Sequence, residues 1–307
     1  MQVEFFQEKT IEIAKDQTIL EAALDAGIPH FHACGGKAKC STCRVLVMEG
    51  ADQLAKPNRR EARLTSVLRL PNTVRLACQT KVKGEPVKLE RMIKAESEVS
   101  AFLKLDEQRP GQFKLRPLGE EKHLVLFFLD IRNFTPFVEM YLPFDVIYLV
   151  RKLFDIFHRV ITENKGEILE TAGDSVYAIF GYETAIKDAA DSAISAGFEI
   201  LHELDALNKT YGKLFLKEFQ VGIGIHSGKV IVGELNYGGG SRRSAMGRAV
   251  NIASRIQSST KVLNNSFIVS DEVFRLSGYS GPSKADDIKV AGVKNLIKVY
   301  AIGEPYK

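Results

Sequence analysis

The chain holds 307 residues, 45% of them apolar and 26% charged. That predicts an ordinary globular protein of two domains, at roughly 100 to 200 residues each, and excludes a disordered, collagen-like or membrane-embedded chain. The longest strongly apolar run, Leu124 to Leu129, is far short of the roughly 20 residues that cross a bilayer, and Met1 to Glu4 is not a basic start leading into an apolar stretch. The expectation is a cytoplasmic chain with no membrane span. With 42 Lys and Arg against 38 Asp and Glu, the net charge of +4 is too small to argue for nucleic acid as a partner.

Two short strands open the chain, Gln2 to Phe6 and Thr10 to Ala14, and a helix follows from about Thr18 to Ala26, where Gly27 and Pro29 end it. A cysteine-bearing loop leads into a β-rich run from Cys43 to Met48, a basic helical segment near Asn58 to Leu70 and a return strand around Val74 to Gln79. Charge concentrates here. Between Lys56 and Lys94 eleven Lys or Arg stand against three acids, a strip of +8 beside −4 in the rest of the chain. Such a strip is a solvated face, or a dock for an acidic partner or for another part of the chain. From about Ile93 to His123 periodicity is lost and Arg109-Pro110-Gly111 and Arg116-Pro117-Leu118-Gly119 punctuate the chain, so this segment reads as a linker with room for a short helix.

Beyond it strands and helices alternate. A buried strand, Leu124 to Asp130, precedes an amphipathic helix, Pro143 to Asn164, and the strands Glu167 to Ala172 and Ser175 to Phe180. A second helix, about Glu183 to Asn208, leads to the strand Phe219 to His226, and strand-like segments recur near Val230 to Glu234, Phe267 to Ser270 and Lys298 to Ile302. The order begins β-α-β-β-α-β, the ferredoxin-like plan, in an α+β protein. The expected boundaries are 1–92, a linker over 93–120, and 121–307.

All four cysteines fall in the first quarter of the chain, as Cys34-x5-Cys40-x2-Cys43 and, after 34 intervening residues, Cys78. Four thiolates satisfy two irons that share two sulfides, and Gly35, Gly36, Ala38, Ser41 and Thr42 supply the tight loop whose N–H groups such a cluster needs. The bland alternatives are structural zinc, which more often uses two short Cys pairs, and disulfides, which suit a cytosolic chain poorly. Residues 1–92 resemble a 2Fe-2S ferredoxin with the x5 spacing of the adrenodoxin and bacterial type, which implies a β-grasp fold. His30 and His32 precede the first cysteine and raise a Rieske centre as an alternative; with four cysteines present they read as packing groups. The domain nets about +5 over residues 1–94, where free-standing ferredoxins are commonly acidic.

Asp130 in FFLDIRNFT and Asp174 in ILETAGDSVYAIF both stand at the ends of apolar strands. Strand ends that converge across a sheet can bring two carboxylates to one pair of Mg²⁺ ions; each alone would pass as a turn or cap residue. With VGIGIHSGKVIVGEL and GRAVNIASRI following in order, residues 121–303 resemble the catalytic domain of class III nucleotidyl cyclases. The resemblance implies two Mg²⁺ or Mn²⁺ ions per site on Asp130, Asp174 and the Ile131 carbonyl. It implies that Asn251 and Arg255, four apart on one helical face, orient the ribose and offset charge on the reacting phosphate. It further implies that backbone N–H groups of Arg132, Asn133, Phe134 and Thr135 cradle the outer phosphates, that Lys294 is a weaker phosphate contact, and that Asn133 stands where the family commonly has glycine. Gly222-x-Gly224-x-x-Ser227-Gly228-Lys229 lacks phosphate-loop spacing and reads as a strand turning over.

Base choice follows hydrogen-bond polarity. The resemblance places Glu170, four before Asp174, and Ser244, three before Gly247, at the base: the Glu170 carboxylate would accept from guanine N1–H and N2–H₂ but would face adenine N1 acceptor to acceptor, so the pocket leans to GTP, while Ser244 suits either purine. The expectation is a cyclase acting on GTP or ATP, for which the resemblance implies a head-to-tail homodimer with shared active sites, tuned by the redox state of the cluster and with room for an electron donor. Two alternatives stay open: an adenylate cyclase with a loose base pocket, and an electron-transfer ferredoxin carrying a non-catalytic cyclase-like dimerisation module.

Overall fold

The computed structural model describes residues 1–94, 103–105, 113–115, 119–212, 218–237, 240–290, 292–293 and 295–306. The chain divides into two compact units, Met1–Gly119 and Glu120–Lys307.

In the first unit β1 (Gln2–Phe5), β2 (Lys9–Glu12), β3 (Arg44–Glu49), β4 (Val74–Leu76) and β5 (Lys88–Arg91) form a sheet in the order β2-β1-β5-β3-β4. β1 and β5 run parallel and the remaining neighbours antiparallel. Helix α1 (Ile19–Asp25) starts at a capping box, in which the Thr18 hydroxyl accepts from the Glu21 N–H and the Glu21 carboxylate accepts from the Thr18 N–H. Its Ile19, Leu20, Ala22 and Ala23 bury into a core with Val3, Phe5, Val45, Leu76 and Leu89. Helix α2 (Arg59–Val67), N-capped by Asn58, buries a single side chain, Glu61. Two further strands, β6 (Leu103–Leu105) and β7 (Phe113–Leu115), pair antiparallel inside the expected linker, so at these residues the segment is strand and not helix.

The second unit is built on β8 (Glu120–Ile131), β9 (Gly166–Ala172), β10 (Ser175–Phe180), β11 (Val221–Tyr237), β12 (Gly240–Met246), β13 (Phe267–Ser270), β14 (Lys284–Ile288) and β15 (Ile297–Ala301). Their order is β14-β15-β13-β11-β8-β10-β9, with β12 paired to β11. The central strand begins at Glu120, inside the expected linker, because β11 runs unbroken for 17 residues and pairs with it from Val221↔Ile131 to Val232↔Glu120.

The apolar run in β8 is continuous because both faces of the strand are covered. Val125, Phe127, Leu129 and Ile131 pack with α4 (Pro143–Glu163) and α5 (Ile186–Tyr211), whereas Leu124 and Leu126 pack with Ala249 and Ala253 of α6 (Arg248–Val262). Glycines set how close α6 comes. A Cβ on Gly224 would lie 2.2 Å from the Gln257 nitrogen, and one on Gly222 would strike Thr260 and Arg132. Gly222 to Lys229 therefore does not turn over as expected. It continues straight through β11 under a helix seated on its glycines. The short helices α3 (Phe134–Met140) and α7 (Asp271–Leu276) complete the unit.

Candidate functional site

Alternation along β8 puts Asp130 on the α6 side of the sheet. It pairs across the ladder with Ser175 on one side and Gly222 on the other. The Ser175 hydroxyl donates to Asp130 Oδ2 at 3.1 Å. Asp174 sits one residue earlier, in the two-residue turn that Gly173, at φ 60°, closes between β9 and β10. Strand pairing thus sets two carboxylates at one sheet end, and burial first, the Asp130 charge second, hold the Asp174 carboxyl above the usual carboxylate range. Two carboxylates at one sheet end, one of them raised partly by the charge of the other, suit a hard divalent cation. Arg132 and Lys261 act on Asp174 in the opposite sense.

The Arg132 side chain is the contributor that sequence reasoning missed. Its Nη2 donates to Asp130 Oδ1 at 2.7 Å from a nearly buried guanidinium, while Nε and Nη1 are enclosed without a partner among the described residues. The signal was available: Asp130 and Arg132 are two apart, hence on one face of an extended chain. Its backbone role needs correcting. The Arg132 N–H donates to the Gln220 carbonyl at 2.7 Å, so it is not free for a phosphate. Asn133 follows at φ 53°, a left-handed conformation that Asn tolerates better than other side chains, and it turns the chain into α3, whose first turn holds Phe134 and Thr135.

Asn251 and Arg255 lie on α6, exposed, and without hydrogen-bond or ion-pair partners among the described residues. The part of α6 nearest the aspartates is further along: Gln257 Nε2 donates to the carbonyl of Gly222, the residue facing Asp130. Asn251 is six residues earlier, about 9 Å along the axis. One chain therefore brings together Asp130, Asp174, Arg132 and Ser175, and leaves Asn251 and Arg255 facing outward. Glu170, opposite Tyr177 on β9, is exposed in a groove of about 330 Å³ with Thr171, Arg242 and Arg243. Ser244 is half-buried on β12 opposite Gly233. Lys294 lies outside the described residues.

In the first unit the cysteine loop joins α1 to β3 through Gly35, Gly36 and Ala38, all at positive φ. Its thiols interact two by two, Cys34 with Cys40 and Cys43 with Cys78. Burial pushes Cys34 up, yet hydrogen bonds from the Lys39 N–H and the Cys40 thiol outweigh it and hold Cys34 below the usual thiol range; burial pushes Cys40 above it. The Cys43 thiol, donating to Cys78, lowers Cys78 to about 6 while Cys43 itself is raised. In each pair one sulfur is prepared to be a thiolate. Gln79 Nε2 donates to Cys78 Sγ at 3.4 Å and the Thr42 hydroxyl lies 3.1 Å from Cys40 Sγ. Paired thiols, N–H donors and left-handed turns fit a binuclear iron-sulfur group. His30 is buried edge-on to Phe5, and burial lowers its imidazole to about 3, so it packs as a neutral ring.

Residues 118–304 match the adenylate and guanylate cyclase catalytic domain, and residues 5–83 match the 2Fe-2S iron-sulfur cluster binding domain. The chain belongs to the adenylate and guanylate cyclase family. Its cyclase domain is similar to adenylate cyclase 1 of Rhizobium meliloti (strain 1021), 30% identical over 152 residues, half of this chain and 23% of that protein. An adenylate cyclase of Anabaena cylindrica is 27% identical over 191 residues, covering 59% of this chain and 37% of that one. The chain thus spans well under half the length of these relatives. Among solved structures, the guanylyl cyclase Cya2 superposes at TM-score 0.55 and 27% identity over 62% of this chain and 97% of that one. A bacterial light-regulated adenylyl cyclase does so at TM-score 0.54 and 27% identity, over 62% and 53%. Among the described residues no helix is long and apolar enough to cross a membrane.

Proposed function

We propose that this chain forms a 3′,5′-cyclic nucleotide and pyrophosphate from GTP or ATP with Mg²⁺ or Mn²⁺, and that a 2Fe-2S cluster on Cys34, Cys40, Cys43 and Cys78 tunes the rate. Residues 1–92 are the β-grasp cluster domain, and the βαββαβ catalytic domain follows the linker from Glu120, where β8 begins. The observation that carries this reading is the Asp130–Ser175 cross-strand pair, which sets Asp130 beside Asp174. Those carboxylates and the Ile131 carbonyl would hold two ions, which when bound favour ionisation of the 3′-hydroxyl and stabilise charge on the phosphates. The rest is positioning by the chain itself. Phe134 and Thr135 N–H groups meet the outer phosphates at the start of α3, with Lys294 as a further contact. Asn251 and Arg255 of the partner subunit hold the ribose and the reacting phosphate.

Sharing of sites between two copies is supported by the outward-facing Asn251 and Arg255, and by the exposed Met140, Leu142, Phe144 and Ile147, an apolar surface of the kind a partner covers. For the base, Glu170 supports GTP through its acceptor carboxylate. The names of the Rhizobium and Anabaena relatives favour ATP as a second reading.

The test is an anaerobic assay with each triphosphate, before and after reduction. Product from GTP exceeding that from ATP, with Glu170→Lys reversing the order, is the expected result. No cyclic product from either nucleotide in either oxidation state would leave an electron-transfer protein with a non-catalytic module. A rate unchanged by reduction would remove redox control and leave the enzyme.

A further inference from the structure

We infer that the first unit takes up electrons at a cationic groove beside the cysteine loop, from a one-electron carrier protein that presents an acidic face. This rests on the reading that the four cysteines hold a cluster. The groove encloses about 710 Å³, with Lys37 and Lys39 on one wall and Arg60, Arg63, Leu64 and Val67 on the other. The first wall is the cysteine loop itself, since the Lys39 N–H donates to Cys34 Sγ at 3.4 Å. A protein seated there lies against the backbone that touches the sulfur.

The second wall is α2, and its charge is one-sided for an identifiable reason. The only carboxylate in the helix, Glu61, points inward, where Arg75 Nε and Nη2, the Leu76 N–H and the Thr80 hydroxyl all donate to it. Arg59, Arg60 and Arg63 are left exposed with no acid on the same helix to offset them. Between the cations lie Leu64, half-buried, and Val67, 72% exposed. An apolar centre within a ring of like charge is the anatomy of a docking surface: the charges steer and orient the partner, and the centre sheds its water. A small anion would use the cations and leave Val67 wet, whereas an acidic protein uses both. In the transfer the carrier is oxidised by one electron and the cluster passes from two ferric ions to one ferric and one ferrous; no bond breaks and no proton moves.

The probe is flavodoxin, a small acidic flavoprotein, with the full chain carrying its cluster. The expected rate of cluster reduction by reduced flavodoxin falls about tenfold or more between low and 0.5 M salt. Arg60→Glu with Arg63→Glu should slow it at least as much, and the neutral pair Arg60→Gln with Arg63→Gln less. Both variants should keep the visible cluster spectrum and normal reduction by photoreduced deazaflavin, which needs no docking. Calorimetry should show oxidised flavodoxin binding the wild type and not the Glu variant. Reduction of the Glu variant at the wild-type rate would overturn the inference, as would a wild-type rate indifferent to salt. So would binding to phosphatidylserine vesicles that the Glu substitutions abolish while flavodoxin reduction stays unchanged. A chain that carries no iron-sulfur spectrum fails the parent reading instead, and the calorimetry still decides the docking face.

Discussion

Arg132 donates to Asp130 at 2.7 Å from a nearly buried guanidinium, so this carboxylate faces a fixed cation before any metal ion reaches it. The pair keeps Asp130 aimed, and the guanidinium also repels a second cation at the same oxygens. Arg132→Met should therefore move the midpoint of Mn²⁺ binding, followed by calorimetry on the full chain, to about threefold to tenfold lower concentration. A midpoint moved upward would mean that orientation outweighs repulsion.

The raised Asp174 carboxyl sets a pH dependence of stability in the metal-free protein. Its folded-state value lies above the ordinary 3.8, so between the two values the folded chain binds more protons than the unfolded one. Stability then falls as pH rises through that window and stays lowered above it. Asp174→Asn should unfold at a higher temperature than wild type above the window, in thermal scans with chelator present. Added Mn²⁺ should raise the wild-type midpoint and leave the variant's nearly unmoved.

A site divided between two chains permits complementation. Asp130→Asn and Arg255→Ala should each be inactive alone. Mixed in equal amounts after exchange, half the dimers carry both chains and one of their two sites is intact, which restores about a quarter of the wild-type rate. No recovery, with dimers verified by light scattering, would place the whole site within one chain.

Glu61 has no exposed surface and accepts from Arg75, Leu76 and Thr80. Glu61→Ala leaves the Arg75 guanidinium without its counter-charge and should cost about 3 to 5 kcal/mol in the first unit, read by denaturant unfolding followed through the cluster's visible bands. Arg75→Met combined with Glu61→Leu should recover much of that loss, because a matched apolar pair removes both charges together.

What could be read in advance depended on how local the signal was. The β10 strand, Ser175 to Phe180, falls where the apolar run predicts, since a two-residue period is fixed by backbone geometry. Gly222 to Lys229 runs on as strand instead of turning because its glycines answer to Gln257 and Thr260, more than thirty residues away. The Arg132 N–H likewise goes to the Gln220 carbonyl, on the residue just before β11, and nothing within FFLDIRNFT announces that partner.

The amino-acid sequence by itself determined the set of chemical groups: four thiols at cluster spacing, two carboxylates at strand ends, and Asn251 with Arg255 one helical turn apart. Each is a matter of residue type and short-range periodicity. Tertiary structure alone decided which groups meet. Ladder register joined Asp130 to Ser175 and Gly222, burial turned Glu61 inward and left α2 cationic, and the seating of α6 left Asn251 and Arg255 on its exposed side. Those outcomes follow from pairing and packing between distant segments, where free energy is gained only when both partners are in place.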